Sequence, residues 1–245
     1  MAETIEPNVE RVTAEGAGPV LSLVAASLVV GGRALLRDVD LSVEAGECIV
    51  VLGANGAGKS TLLRLANGIV AASSGQVHRL PARAQLMLLQ RPPQMRRSAL
   101  DQLRFVLATR GLPEPARSER ARDALTACGL AACAERAVRR LSGGEQQRLA
   151  LAAAWACSPR LLLADEPASN LAPAATRELE RLLGELRRRG ATLIVSTHNV
   201  AQAKRLAERI VFMDGGRIVE DRPAADFFSA PHSAAARDYL QGETA

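Results

Sequence analysis

The sequence is short of aromatic residues, of lysine and of long apolar runs, and each shortage excludes something. One Trp, one Tyr and four Phe in 245 residues leave too few rings for stacking on successive bases, and they make the core aliphatic. Lys59 and Lys204 are the only lysines, so the net charge of +5 comes almost wholly from scattered arginine. Such scatter does not form the basic stripe of a nucleic-acid-binding protein, and no nucleic-acid partner is expected. No apolar stretch approaches the ~20 residues needed to span a bilayer. The opening "MAETIEPNVERVTAEGAG" is acidic and polar where a secretory leader would be basic and then apolar. These features point to a cytoplasmic chain. The four cysteines, Cys48, Cys128, Cys133 and Cys157, form no CxxC pair and have no histidine at ligand spacing, which favours buried thiols over a metal or redox centre.

Nearly half the residues are apolar, enough for a well-buried core. Residues 1–18 read as a loose tail. From Leu21 to Val43, β-prone runs broken by "GG" predict an antiparallel meander. "ECIVVLG" (47–53), "RLLLADE" (160–166) and "ATLIVSTH" (191–198) are continuous apolar runs of strand length, as in strands buried on both faces. Helix-period segments lie between them, predicting βαβ units and a parallel sheet. "IVFMDGGRIVE" (210–220) predicts a hairpin with its turn at Asp214-Gly215. "RELERLLGELRRRG" (177–190) reads as a helix with a solvated charged face. From Pro92 to Ala154 there are helical patterns, notably Arg117–Leu130 and Gly144–Ala156, and no convincing strand.

"GANGAGKST" (53–61) fits G-x-x-x-x-G-K-[ST], follows a buried strand and precedes an apolar helix, the context this motif requires. Gly53, Gly56 and Gly58, with Ala54, Asn55 and Ala57 between them, let successive backbone N–H groups converge on one anion. The helix that follows adds its positive dipole end. Lys59 supplies a point charge for the β- and γ-phosphates; the Ser60 hydroxyl suits Mg²⁺, and Thr61 completes the motif. "LLLADEP" ends a strand in two carboxylates. Alternation along the strand predicts that they diverge, Asp165 towards Mg²⁺ and Glu166 towards an attacking water. "LSGGEQQR" (141–148) repeats the ingredients of the cradle in miniature: a hydroxyl at Ser142, N–H groups at Gly143 and Gly144, and a helix start. Because one nucleotide already has its cradle, this second anion-recognition element is expected to cap the γ-phosphate of a nucleotide held by another subunit.

With these motifs in order, the chain resembles the ATP-binding subunit of an ABC transporter over nearly its whole length. The resemblance implies an α/β P-loop NTPase fold: a RecA-like parallel core with an antiparallel β subdomain (19–91 and 155–245) and a helical insertion (92–154) ending in the signature "LSGGEQQR". Together these form one cassette, 19–242. It implies further that Gln90, in "LLQRP", contacts the metal and attacking water, and that His198, in "STHN", hydrogen-bonds the γ-phosphate. It implies a head-to-tail dimer with ATP and Mg²⁺ between the cradle of one copy and Ser142–Gly144 of the other. Separate transmembrane permease subunits are implied too, holding the ATPase at the inner face of the membrane, and indirectly a periplasmic substrate-binding protein.

Two departures stand out. Val30 occupies the place of the family's adenine-stacking aromatic, and "SNLA" puts Ala172 where the family has an aspartate that aids communication across the dimer. The C-terminal stretch "HNVAQAKRLAERIVFMDGGRIVED…FFSAPHSAAARDYLQGE" resembles the ATPases of bacterial oxyanion importers, tungstate type first and phosphate type next, with a phosphate or amino-acid importer ATPase as the alternative. No accessory domain is expected past about Gly242, which disfavours the regulated sugar- and molybdate-type subunits. Two other classes fit the sequence less well. A soluble ABC ATPase acting on nucleic acid or ribosomes would carry paired cassettes or a long coiled-coil insertion, and neither is present. A non-hydrolytic nucleotide binder, suggested by Val30 and Ala172, conflicts with an intact Lys59, Gln90, Asp165, Glu166 and His198.

Overall fold

The computed structural model describes residues 18–93, 95–169 and 171–242. The expected tail at 1–18 therefore lies outside the described residues except for Gly18. Two sheets form. The first has the order β2-β1-β4 and is antiparallel, built from β1 (Leu21–Val30), β2 (Arg33–Val43) and β4 (Ser74–Arg79). The β1–β2 turn is made by Gly31 and Gly32 at φ 56° and 76°, a conformation that only glycine adopts without strain. The second sheet has the order β5-β6-β7-β3-β8-β9, from β5 (Gln85–Leu88), β6 (Leu161–Asp165), β7 (Thr192–Thr197), β3 (Cys48–Leu52), β8 (Arg209–Asp214) and β9 (Arg217–Pro223). Its first five strands are parallel, and β9 closes the edge antiparallel to β8.

The continuous apolar runs are explained by burial on both faces. In β3, Val50 and Leu52 face a core shared with the helices, while Ile49 and Val51 face a second core shared with the antiparallel sheet; β6, β7 and β8 divide their side chains in the same way. The helical side comprises α2 (Ala99–Thr109), α3 (Ala116–Ala127), α4 (Gly143–Cys157), α5 (Pro173–Arg188), α6 (Val200–Leu206), α7 (Ala224–Ser229) and α8 (Ala234–Gly242). Helix α1 (Lys59–Asn67) instead buries Leu62, Leu63 and Leu65 towards the antiparallel sheet. In α5 the leucines at 179, 182, 183 and 186 are buried, and the charged side chains between them pair on the outer face, Arg181 with Glu178 and Arg188 with Glu185. Four of the six rings gather at one place, where Phe212 meets Phe227 and Tyr239 with centroids 5.8 and 5.4 Å away and Phe227 meets Phe228 edge-on. Burial pushes the Cys48 thiol up to about 11 and that of Cys128 up to about 12, so both are inert apolar fillers.

The structure moves several boundaries. The helix expected to reach Leu130 stops at Ala127, because Gly129 turns left-handed at φ 65°. The helix expected from Gly144 begins at Gly143, where the Ser142 side chain caps it. The β8–β9 turn is Gly215-Gly216, at φ 53° and 80°, rather than Asp214-Gly215; Asp214 still pairs with Arg217 inside the ladder. Strands β4 and β5 and helix α2 were not read from the sequence. β4 and β5 are short, and α2 follows a proline-rich loop, so none carries a strong periodic signal of its own.

Candidate nucleotide and phosphate site

The carboxyl ends of β3, β6 and β7 open onto one cleft of about 1050 Å³, the position where parallel α/β sheets hold ligands. The loop 53–58 joins β3 to α1 and needs its glycines for distinct reasons. A Cβ on Gly53, at φ 153°, would sit 2.3 Å from the Met213 carbonyl oxygen. At Gly58, φ 107° places the backbone against Met213, Leu36 and Gly216 while it caps α1. Gly216 of the β8–β9 turn supports the loop directly: its N–H donates to the Ala57 carbonyl at 3.0 Å, and its own carbonyl accepts from Arg37 N–H at 2.9 Å. A Cβ there would lie 2.6 Å from the Leu35 carbonyl oxygen. Sequence reading missed this support because residues 58 and 216 meet only in three dimensions.

Lys59 is 4% exposed, and its ammonium donates to the carbonyls of Gly53 (2.8 Å) and Ala54 (3.1 Å) while lying 3.4 Å from Glu166 Oε1. The Ser60 hydroxyl donates to Asp165 Oδ1 at 2.8 Å, and Ser196 Oγ donates to the same oxygen at 2.7 Å. Asp165 is 1% exposed, so two hydroxyls from different elements compensate its burial. Glu166 lies just past β6 at φ 43°. The two carboxylates do diverge, but through this left-handed residue rather than by strand alternation as expected. Its N–H is held by both the hydroxyl (3.0 Å) and the carbonyl (3.1 Å) of Ser196, which over-determines a conformation costing about 1–3 kcal/mol. Ser196 stands in "STHN" two residues before His198, and nothing in its local spacing signals that it reaches Asp165 and Glu166 about thirty positions away.

Around the Glu166 carboxylate stand two further expected residues. Gln90 donates from Nε2 to Oε2 at 3.4 Å, and His198 Nδ1 lies 3.3 Å from the same oxygen without hydrogen-bond geometry. The His198 carbonyl is fixed by the Tyr239 hydroxyl of α8, and Asn199 next to it caps α6. Asn55, Gly56, Gly58, Lys59, Ser60, Thr61, Gln90, Glu166 and His198 all line the cleft, while Gly53, Ala57 and Asp165 are buried and Ala54 is exposed outside the lining.

Ser142, Gly143 and Gly144 do not line the cleft. They form the first turn of α4, closed by a reciprocal cap: Ser142 N–H and Oγ donate to Glu145 Oε2 at 2.7 and 2.9 Å, and Glu145 N–H donates to Ser142 Oγ at 3.3 Å. Arg136 on Glu145 at 2.7 Å, with the Ser142 bonds, holds that carboxyl down at about 2. Neither glycine has a positive φ; a Cβ on Gly143 would meet nothing within 4 Å and one on Gly144 only ordinary contact with Ala175. The fold of the described chain does not itself require glycine at either position.

The two departures are also located. Val30 is 56% exposed at the end of β1 and does not line the cleft, whose corresponding wall carries Arg33, Ala34, Leu35 and Arg37. Ala172 sits at the N-cap of α5 in extended conformation (ψ 152°), where aspartate would bond the first turn and alanine makes no side-chain cap. Pro173 at the first helical position compensates in part.

The donor chemistry suits Mg²⁺. Ser60 and Asp165 offer adjacent hard oxygens, and among the described residues no cluster of three or more His, Cys, Asp or Glu forms a ready cage. Mg²⁺ commonly takes one or two protein oxygens and the rest from phosphates and water.

A backbone anion cradle at a helix start, a buried lysine and a strand-end carboxylate pair define a nucleoside-triphosphatase of the P-loop class. The family model "ABC transporter" matches residues 36–169, and the chain belongs to that family, as an ATP-binding subunit. It is 35% identical to the phosphate import ATP-binding protein PstB 2 of Natronomonas pharaonis over 235 residues, covering 86% of this chain and 83% of that one. It is 33% identical to the glutamine transport ATP-binding protein GlnQ of Escherichia coli over 228 residues, covering 86% and 94%. Among solved structures, an ATP-binding subunit of an ABC transporter shares the fold with TM-score 0.79 at 24% identity, covering 92% of this chain and all of that one. A dimeric ATP-binding cassette in a post-hydrolysis state, bound to ADP and Pi, aligns with TM-score 0.76 at 25% identity over 83% of this chain and 98% of that one. The chain is an ATPase, with ATP as substrate and Mg²⁺ as the metal of hydrolysis.

Proposed function

We propose that this chain energises an importer, hydrolysing ATP in a head-to-tail dimer docked on separate permease subunits at the inner face of the membrane. The observation that carries the hydrolytic reading is the position of Glu166, whose carboxylate meets Lys59, Gln90 and His198 at the mouth of the cradle. In this reading the backbone N–H groups of 53–61 and the Lys59 ammonium hold the triphosphate. Glu166 accepts the proton of the attacking water, Gln90 orients that water beside Glu166, and His198 donates to the γ-phosphate. Ser60, Asp165 and the Gln90 side-chain oxygen would hold Mg²⁺, which would supply positive charge against the phosphates. Ser142, Gly143 and Gly144 close over the partner copy's nucleotide, and residues 92–154 act as the unit that carries them. Two glycines that their own chain does not need support a surface reserved for an outside ligand.

A Glu166→Gln variant tests this reading. It should bind ATP, accumulate as a stable dimer and lose at least ~100-fold in turnover, within the range that general-base removal costs. Turnover within threefold of the parent chain would reject the assignment.

For the cargo we infer an oxyanion of the tungstate type, on the C-terminal sequence 198–243. The relatives named for phosphate, methionine and glutamine match at 33–35% identity and support import; they favour phosphate or an amino acid as the second reading. Calorimetry on the periplasmic binding protein of the same transporter, titrated with tungstate, phosphate and glutamine, separates the two. Binding of phosphate or glutamine without tungstate would remove the tungstate reading.

A further inference from the structure

Helix α4 contains one polar side chain that is buried for no reason of helix packing. Gln147 is 6% exposed, and its Nε2 donates to the backbone carbonyl of Gln90 at 3.0 Å. Gln90 in turn donates from its side chain to Glu166 Oε2 at 3.4 Å. Gln147 follows Gly143 by about one turn, on the order of 6 Å along the axis, so it moves rigidly with the helix start. That start is itself locked. The Ser142–Glu145 cap and Arg136 close its first turn, and the preceding segment is stitched to the beginning of α2 by Ala99 N–H to the Arg136 carbonyl (3.0 Å), Leu100 N–H to the Ala134 carbonyl (2.9 Å) and Val138 N–H to the Arg97 carbonyl (2.9 Å).

We infer that Gln147 is a positioning residue that ties the Ser142–Gly144 turn to the chain's own Gln90–Glu166 pair, so that docking of α4 on a partner's nucleotide sets the geometry of this chain's own carboxylate. The inference rests on the reading that Glu166 is the base and that Ser142–Gly144 meets the other copy's nucleotide. Physically, any displacement of the helix start is passed through one donor on a rigid element to one carbonyl, and from the same residue's amide to the carboxylate. The route crosses from the helical side of the molecule to the end of β6, where the same carboxylate also meets Lys59.

The test uses the full chain with Gln147→Met, which keeps the length and removes the donor, and Gln147→His, whose ring Nε2–H reaches about as far as the glutamine amide and restores a donor. For Gln147→Met, kcat should fall at least tenfold while the affinity for a fluorescent ATP analogue stays within twofold. In a Glu166→Gln background, Gln147→Met should still form the ATP-driven dimer on gel filtration. Gln147→His should recover kcat to within about threefold of the parent, a rescue that loosened packing would not give. Undiminished kcat in Gln147→Met, loss of nucleotide affinity in step with kcat, loss of the dimer, or a kcat for Gln147→His no higher than for Gln147→Met would each overturn the inference. If the Met variant does not fold, Gln147→Leu takes its place in the same comparison. Normal turnover by Glu166→Gln on its own would instead refute the underlying reading, whatever Gln147 does.

Discussion

Removing the Ser196 hydroxyl should expose how the two carboxylates are held apart. Ser196 is fully buried; its Oγ donates to Asp165 Oδ1 at 2.7 Å and accepts from Glu166 N–H at 3.0 Å. In Ser196→Ala, Glu166 N–H keeps the residue-196 carbonyl at 3.1 Å, so the loss falls mainly on Asp165, whose remaining side-chain partner among the described residues is Ser60. A hydrogen bond to a buried charged group contributes about 1.5–3 kcal/mol, so a stability loss of about 2 kcal/mol is expected. For a domain of this size each kcal/mol moves Tm by about 2–4 °C, giving a drop of about 4–8 °C by calorimetry in EDTA. Because Asp165 is proposed to hold Mg²⁺, saturating Mg²⁺ with a non-hydrolysable ATP analogue should return a partner to the carboxylate. The gap between variant and parent should then narrow, and the analogue without metal should not narrow it. A Tm change under 1 °C in EDTA, or a gap indifferent to Mg²⁺, would refute the assignment of Asp165 as a carboxylate that depends on these partners.

Two other perturbations probe the helix starts. Ala172→Asp supplies the absent N-cap of α5 and should raise stability by about 1 kcal/mol, seen as a Tm increase of about 2–4 °C; no increase would mean that the turn before Pro173 does not admit the cap. Glu145 titrates near 2 in the folded chain, below the ordinary 4.5, chiefly because of Arg136. A carboxylate with a depressed folded value stabilises the native state above about pH 4.5 and loses that contribution as pH falls towards about 2. The Tm difference between the parent and Arg136→Ala should therefore be constant above about pH 5 and shrink below about pH 4.5. A difference that is flat down to pH 3 would contradict the pairing.

The hydrolytic motifs were legible because their chemistry needs contiguous residues. A loop that wraps an anion with its own N–H groups must be consecutive, and "GANGAGKST" is; so are the Asp165–Glu166 pair and the Ser142–Gly144 turn. The parallel strands were legible because burial on both faces forces unbroken apolar runs, as in Cys48–Leu52 and Leu161–Asp165. Residues that support the motifs from elsewhere could not be read in the same way. Gly216 lies more than 150 positions from the loop it props, Ser196 about thirty from the carboxylates it holds, and Gln147 more than fifty from the carbonyl it fixes.

Residue order alone thus marks out the groups proposed to contact phosphate, because such contact is local and its spacing is set by covalent geometry. Tertiary structure decided how those groups are aimed. It set the divergence of Asp165 and Glu166 through a left-handed backbone pinned by β7, rather than through the alternation that the strand suggests. It placed an arginine-bearing wall where Val30 falls outside the cleft, and it joined the Ser142 helix to Glu166. Aim depends on pairwise distances between elements far apart in the chain, and a linear order of residues fixes none of those distances until the sheets and helices pack.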